Sequence, residues 1–161
     1  MTDFKGLLHL FAEADVEFIL VGGAAATAHG SSRLTEDLDI VYRRSAENIG
    51  RLVTALADRE PYLRGAPPGL PFRWDTATIE RGLNFTLTCT LGDVDLLGEI
   101  TGGGGFDDLL PHSIVLKLFG IECRCLGLNQ LIHVKRAAGR PKDLEVVAEL
   151  EALCEERESS E

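Results

Sequence analysis

Thr35-Glu36-Asp37-Leu38-Asp39-Ile40-Val41, preceded by Val21-Gly22-Gly23, is the part of the sequence that decides the fold. Residues two apart on a strand point to the same face, so Asp37 and Asp39 should share one face of a strand over residues 38–42. The simpler interpretation of such a pair is an ordinary strand face exposed to solvent. Acidic residues are poor strand formers, however, so two of them on one face of a strand suggest a functional role. Two carboxylates in this arrangement can share divalent cations such as Mg²⁺ or Mn²⁺, which prefer hard oxygen ligands.

The glycine pair ends an apolar strand over residues 17–21 and precedes a short alanine-rich helix over residues 24–29. Because they lack side chains, Gly22 and Gly23 allow another group to approach the backbone closely, and N–H groups at a helix start can face an anion. The pair is therefore a candidate phosphate contact. A strand-to-helix turn can also require glycine for structural reasons alone, and no Gly-Lys-Ser/Thr follows as in a Walker loop.

A third carboxylate is expected from Gly92-Asp93-Val94-Asp95-Leu96-Leu97. Asp95 lies within the apolar part of a strand predicted over residues 94–100, where a charge is costly unless it is paired or bound to a metal. Asp93 follows a glycine and is more typical of a turn. Asp95 therefore joins Asp37 and Asp39 as a candidate catalytic and metal-binding residue.

The remaining sequence predicts one α/β (α+β) domain over residues 1–161, with a mixed sheet flanked by helices. Residues 61–73 and 102–105 are expected to be loops because they are rich in glycine or proline. Further predicted helices cover residues 3–14, 45–59, 129–138 and 141–156, and further predicted strands cover residues 84–91, 114–118 and 121–126.

Charge and cysteine content narrow the classes of function. A formal net charge of −10 argues against binding long nucleic acid, which usually requires a basic face, but is compatible with a metal-bound nucleotide. The four cysteines form no CxxC pair, which favours free thiols in a reducing cytoplasm. The sequence has no apparent signal peptide and no apolar stretch long enough to span a bilayer, so a cytoplasmic protein without a membrane partner is expected.

The combined pattern resembles the nucleotidyltransferase superfamily of the polymerase beta type. The pattern consists of Val-Gly-Gly, thirteen intervening residues, Asp-Leu-Asp-Ile, and a later Val-Asp-Leu-Leu. Residues 28–40, Ala-His-Gly-Ser-Ser-Arg-Leu-Thr-Glu-Asp-Leu-Asp-Ile, resemble the minimal bacterial nucleotidyltransferases. Residues 131–144 resemble a C-terminal motif of the nucleotidyltransferase-like toxins of abortive-infection systems and their uncharacterised relatives.

This resemblance implies the nucleotidyltransferase fold and a transferase activity that uses Mg²⁺ or Mn²⁺. A nucleoside monophosphate would move from an NTP such as ATP to a hydroxyl acceptor, and pyrophosphate would be released. Gly22 and Gly23 would hold the triphosphate, Asp37, Asp39 and Asp95 would bind the metals, and Lys135 would contact phosphate. The acceptor could be a small molecule, a tRNA end or a protein.

Two further points concern the candidate site and the activity. Arg33 precedes the aspartate pair and is a candidate nucleotide-binding residue, since guanidinium suits phosphate; an exposed loop arginine is the alternative. Gly23 stands where active superfamily members often have serine, and the sequence has no obvious acceptor-binding domain. An alternative function is therefore a catalytically weak or inactive module that acts as an antitoxin or binds a partner protein.

Overall fold

A mixed seven-stranded sheet forms the centre of the computed structural model, which describes residues 1–160. The strands are β1 (Phe18–Val21), β2 (Asp37–Tyr42), β3 (Tyr62–Leu63), β4 (Phe85–Cys89), β5 (Gly92–Leu97), β6 (Glu99–Ile100), β7 (Gly104–Gly105), β8 (Ser113–Leu118) and β9 (Ile121–Leu126). The main sheet has the order β3-β4-β5-β2-β1-β9-β8, and β6 pairs with β7 separately. The β2–β5 and β1–β9 pairs are parallel and the other pairs are antiparallel.

Seven α-helices accompany the sheet within the described residues, and short 3₁₀ turns follow two of them. The helices are α1 (Phe4–Glu13), α2 (Gly22–Ala28), α3 (Ala46–Leu56), α4 (Thr76–Arg81), α5 (Phe106–Leu109), α6 (Leu128–Ala138) and α7 (Pro141–Ser159). Side chains cap two of the longer helices: the Asp3 carboxylate accepts from the Gly6 N–H at the start of α1, and the Ser45 hydroxyl accepts from the Asn48 N–H before α3. The predicted fold class is confirmed.

The core determines which face of the sheet carries the acidic residues. Leu38 and Ile40 of β2, like Val94 and Leu96 of β5, are completely buried. Because side chains alternate along a strand, the aspartates between these apolar residues lie on the opposite face. The period-two interpretation of residues 37–41 and 93–97 is therefore confirmed.

Four segments differ from the sequence-based expectation. The strand predicted over residues 94–100 is divided: β5 ends at Leu97, and β6 belongs to a separate two-stranded sheet. Within the predicted loop 61–73, Tyr62 and Leu63 form an edge strand against β4, and within the predicted loop 102–105, Gly104 and Gly105 pair with β6. Both strands are two residues long, which is too short for a periodic pattern to reveal them. Helix α7 continues to Ser159 rather than ending near residue 156.

Two further expectations concern cysteines and the membrane. The four thiols are free. Among residues 1–160, no helix combines the length and the apolar character that crossing a bilayer requires.

Candidate active site

Strand register brings the three predicted carboxylates together. β2 and β5 run parallel, with Asp37 beside Asp93 and Asp39 beside Asp95. One carboxylate oxygen from each of Asp37, Asp39 and Asp95 lies within 4.8 Å of the other two. Carboxylates this close repel one another unless protons or cations offset their charge.

Asp39 is the most perturbed member of this carboxylate cluster. Burial raises its pKa to about 8, and the neighbouring Asp95 and Asp37 carboxylates act in the same direction, whereas Lys135 opposes them. Its Oδ1 atom is buried and has no hydrogen-bond partner. The pKa of Asp37 is raised too, by burial first and by the Asp95 charge second. The cluster thus contains a buried acceptor without a donor, which suits a cation.

The glycine pair makes room for the site. Gly22 has φ +62°, a left-handed conformation that disfavours other residues, and a Cβ there would collide with the Asp39 carboxylate. A Cβ at Gly23 would lie 2.7 Å from Thr35 Oγ1. The two glycines therefore allow α2 to approach β2 and the loop before it closely, whatever else they contact.

A set of ion-paired side chains lies where α6 meets α7. Asp143 is almost fully buried, and it receives hydrogen bonds from Lys135 Nζ at 3.3 Å and from Arg140 Nε at 2.6 Å. Burial alone would raise the pKa of Asp143, but these hydrogen bonds and the two positive charges lower it below its ordinary value. The interaction fixes Lys135 beside the carboxylate cluster.

Two cavities meet at Asp39. One, of about 420 Å³, is lined by the three clustered aspartates, by Gly23 and by basic side chains, which are Arg33, Lys135, Arg140 and Lys142. The other, of about 450 Å³, contains Gly22 and apolar side chains of β5, β6 and α6, which are Leu97, Ile100, Leu131 and Val134. Asp39, Lys135, Arg140 and Asp143 border both cavities.

Solved structures share this arrangement of helices and strands. The lincosamide antibiotic adenylyltransferase LnuA, in its lincomycin-bound form, superposes with a TM-score of 0.62 at 16% identity, covering 94% of this chain and 98% of LnuA. The chain has the nucleotidyltransferase fold. The sequence matches no protein-family model and no curated protein significantly.

Two further nucleotidyltransferase-fold neighbours agree. A protein of Thermotoga maritima, provisionally assigned as a nucleotidyltransferase, has a TM-score of 0.55 at 14% identity, covering 92% of this chain and 94% of its own. An antigenic nucleotidyltransferase-like protein of Paracoccidioides brasiliensis has a TM-score of 0.54 at 14% identity, covering 93% and 77%. At these identities the likeness establishes the fold.

The predicted site residues fall into two groups on this nucleotidyltransferase fold. Asp37, Asp39 and Asp95 converge, and Gly22, Gly23 and Lys135 surround them. Arg33 borders the same cavity, but its Nε lies 3.2 Å from Glu149 of α7 and its Nη1 lies 3.7 Å from Glu145. A phosphate would therefore compete with two carboxylates for the Arg33 guanidinium.

One residue of the site was missed by the sequence analysis. Arg64, which follows β3, places its guanidinium against Asp37, Asp93 and Asp95. It lies in a segment interpreted as a proline- and glycine-rich loop, and no motif marks it. Only the pairing of β3 with β4 brings it to the carboxylates.

Proposed function

We propose that this protein is a metal-dependent nucleotidyltransferase, which moves a nucleoside monophosphate from an NTP to a hydroxyl acceptor. The observation that carries the proposal is the convergence of the Asp37, Asp39 and Asp95 carboxylates within 4.8 Å, beside a cavity with basic walls. The fold shared with LnuA supports it.

Asp37, Asp39 and Asp95 would hold Mg²⁺ or Mn²⁺, and the unpartnered Oδ1 of Asp39 fits that role. Bound divalent cations would neutralise phosphate charge and stabilise the attacking and leaving oxygens of the displacement. Gly22 and Gly23 would let the triphosphate approach the backbone at α2. Lys135 and Arg33 would supply positive charge from α6 and from the loop before β2.

In the proposed reaction, the acceptor oxygen forms a bond to the α-phosphorus of the NTP. The bond between that phosphorus and the α,β-bridging oxygen breaks, and pyrophosphate leaves with the electron pair. The acceptor proton passes to the Asp95 carboxylate, the member of the cluster that comes from β5. Asp95 would thus act as general base and metal ligand.

Among the possible acceptors, a small molecule is favoured over a tRNA end or a protein. LnuA is a lincosamide adenylyltransferase that binds lincomycin, and ATP is correspondingly the favoured NTP. The cavity of about 450 Å³ has partly apolar walls and lies in the size range of small-molecule sites. The net charge of −10 disfavours a polyanionic acceptor.

A second candidate function is a catalytically weak module that binds a partner protein, such as an antitoxin or a member of an abortive-infection system. The observation that favours it is the edge strand β8, where Ile114 and Val115 are exposed, followed by the exposed Phe119. Exposed apolar edges are typical of protein interfaces. In both proposals residues 1–161 act as one domain in the cytoplasm.

A pyrophosphate-release assay tests the proposed activity. Wild type should release pyrophosphate from an NTP when Mg²⁺ or Mn²⁺ and a suitable hydroxyl compound from an acceptor panel are present. Asp39→Asn should abolish release, whereas Asp58→Asn, at an exposed position after α3, should leave it unchanged. Equal release by wild type and Asp39→Asn would contradict the proposal.

A further inference from the structure

Arg64 is anchored by hydrogen bonds to the backbone of β4 as well as by its contacts with the carboxylates. Its own N–H donates to the Thr86 carbonyl at 3.0 Å, and its Nη2 donates to the Leu87 carbonyl at 2.8 Å. The side chain is about one quarter exposed. The guanidinium is therefore fixed on the sheet face that bears the aspartates, rather than extended into solvent.

Three carboxylates surround this guanidinium. Nη2 donates to Asp95 Oδ1 at 2.9 Å, Nε lies 3.5 Å from Asp93 Oδ1, and Nη1 lies 3.6 Å from Asp37 Oδ2. Two of the three, Asp95 and Asp37, belong to the proposed metal-binding cluster. Lys135, which borders the same cavity, is paired with Asp143, whereas Arg64 makes a direct ionic contact with Asp95.

We propose that Arg64 is a built-in counter-cation of the carboxylate cluster, and that a divalent cation binds there in competition with its guanidinium. This inference rests on the proposed function, because it takes Asp37 and Asp95 as metal ligands. Arg64 would be a positioning residue, since it acts on the reaction through those carboxylates.

Competition follows from the lone pairs and charges involved. The Asp95 oxygen that accepts from Arg64 is drawn toward the guanidinium, and a divalent cation needs carboxylate oxygens at its own coordination distance. Two positive groups on one carboxylate also repel each other, most strongly where the site is partly buried. Arg64 also contacts the Leu87 carbonyl and Asp93, which are outside the carboxylate cluster. These contacts can hold the guanidinium when its hydrogen bond to Asp95 is broken.

Two consequences distinguish this arrangement from an ordinary structural ion pair. Before metal binds, the guanidinium offsets the mutual repulsion of the aspartates and holds Asp37 and Asp95 in one cluster. During metal binding, the same charge lowers the affinity, so that occupancy depends more strongly on additional ligands such as the phosphates of an NTP. Arg64 would therefore couple metal binding to nucleotide binding.

Mn²⁺ titration without nucleotide tests the inference, with binding measured by calorimetry and by the loss of the free-ion electron spin resonance signal. Arg64→Gln should bind Mn²⁺ about tenfold more tightly than wild type, because a charge within 4 Å of the cluster is removed. Arg64→Lys, which keeps the charge but not the planar fork, should fall between them. Arg51→Gln removes an exposed charge on α3 and should change the affinity less than about twofold.

The outcomes separate the inference from the proposed function. Unchanged or weaker Mn²⁺ binding by folded Arg64→Gln, with clear binding by wild type, would overturn the counter-cation role and leave the metal site standing. Absence of Mn²⁺ binding in all folded variants would contradict the metal site and the inference together. Circular dichroism establishes folding, and Arg64→Lys keeps the test decisive if Arg64→Gln does not fold.

Discussion

Gly22 faces the Asp39 carboxylate so closely that a Cβ atom at this position would collide with Asp39 Oδ2. The chain turns from β1 into α2 here with φ +62° at Gly22. The absence of a side chain at Gly22 therefore leaves the space that the Asp39 carboxylate occupies.

Gly22→Ala should destabilise the protein by about 2 kcal/mol or more, because a left-handed alanine costs about 1–2 kcal/mol and the collision adds to it. Urea denaturation measures the change. Gly50→Ala is the matched control: it lies within α3 with no atom within 4 Å of the added Cβ, and should stabilise by roughly 0.5–1 kcal/mol. Similar effects of both substitutions would contradict the packing of Gly22 against Asp39.

Asp39→Asn should stabilise the metal-free protein relative to wild type, increasingly as pH rises. Folding raises the pKa of Asp39 from 3.8 to about 8, so the folded state binds this proton more tightly than the unfolded state. Stability of wild type is therefore lost as pH rises between these values, and asparagine removes that loss. Urea unfolding in EDTA at pH 6 and pH 8.5 measures the difference. Asp58→Asn, at an exposed site, should show no such trend.

His29 should make the protein less stable in mild acid. Its Nε2–H donates to the Leu126 carbonyl at 2.8 Å, and its Nδ1 accepts from Arg157 at 3.0 Å, an arrangement that requires a neutral ring. Burial lowers its pKa below 6.5, and the Arg157 charge adds to this effect, although the hydrogen bond to Leu126 opposes it. The unfolded state therefore binds the proton more readily, and stability is lost as pH falls below about 6.5.

Unfolding free energies at pH 7.5 and pH 5.5 test the role of His29. His29→Gln should lower stability at pH 7.5 and reduce the further loss at pH 5.5, whereas His133→Gln, an exposed residue of α6, should leave the wild-type pH dependence intact. An unchanged pH dependence in His29→Gln would show that other groups cause it.

Asp143→Asn should destabilise the fold by about 2–3 kcal/mol, because it leaves the partly buried Lys135 without its ion-pair partner. Glu151→Gln provides the control: it breaks the exposed pair with Arg136 at the protein surface and should cost less than about 1 kcal/mol. Thermal or urea unfolding compares the two. A cost for Asp143→Asn no greater than the control would contradict the structural role of the buried pair.

The carboxylates were predictable from sequence because a period-two pattern is local. Leu38 and Ile40 identify the buried face of β2, so the position of Asp37 and Asp39 follows from residues next to them. Asp95 was found in the same way from its apolar neighbours. The mixed sheet followed from the order of such segments.

Arg64 was not predictable, because its role depends on contacts between residues far apart in sequence. The two-residue strand β3 has too little length for a periodic signal, and its register with β4 brings Arg64 to Asp95, 31 positions away. The burial of Asp143 could not be predicted either, because it depends on the packing of α7 against α6 and not on a local sequence pattern. Sequence patterns thus identified the acidic groups and Lys135, but not Arg64, whose contacts depend on the register of β3 with β4.

Calorimetric titration with Mg²⁺ or Mn²⁺ and a non-hydrolysable ATP analogue tests the central claim most directly. Wild type and the double variant Asp37→Asn/Asp39→Asn should be compared, after circular dichroism has shown that both are folded. The account predicts nucleotide binding by wild type that requires the metal and is lost in the double variant. Folded wild type that binds no nucleotide with metal present, or a double variant that binds it equally well, would contradict the account.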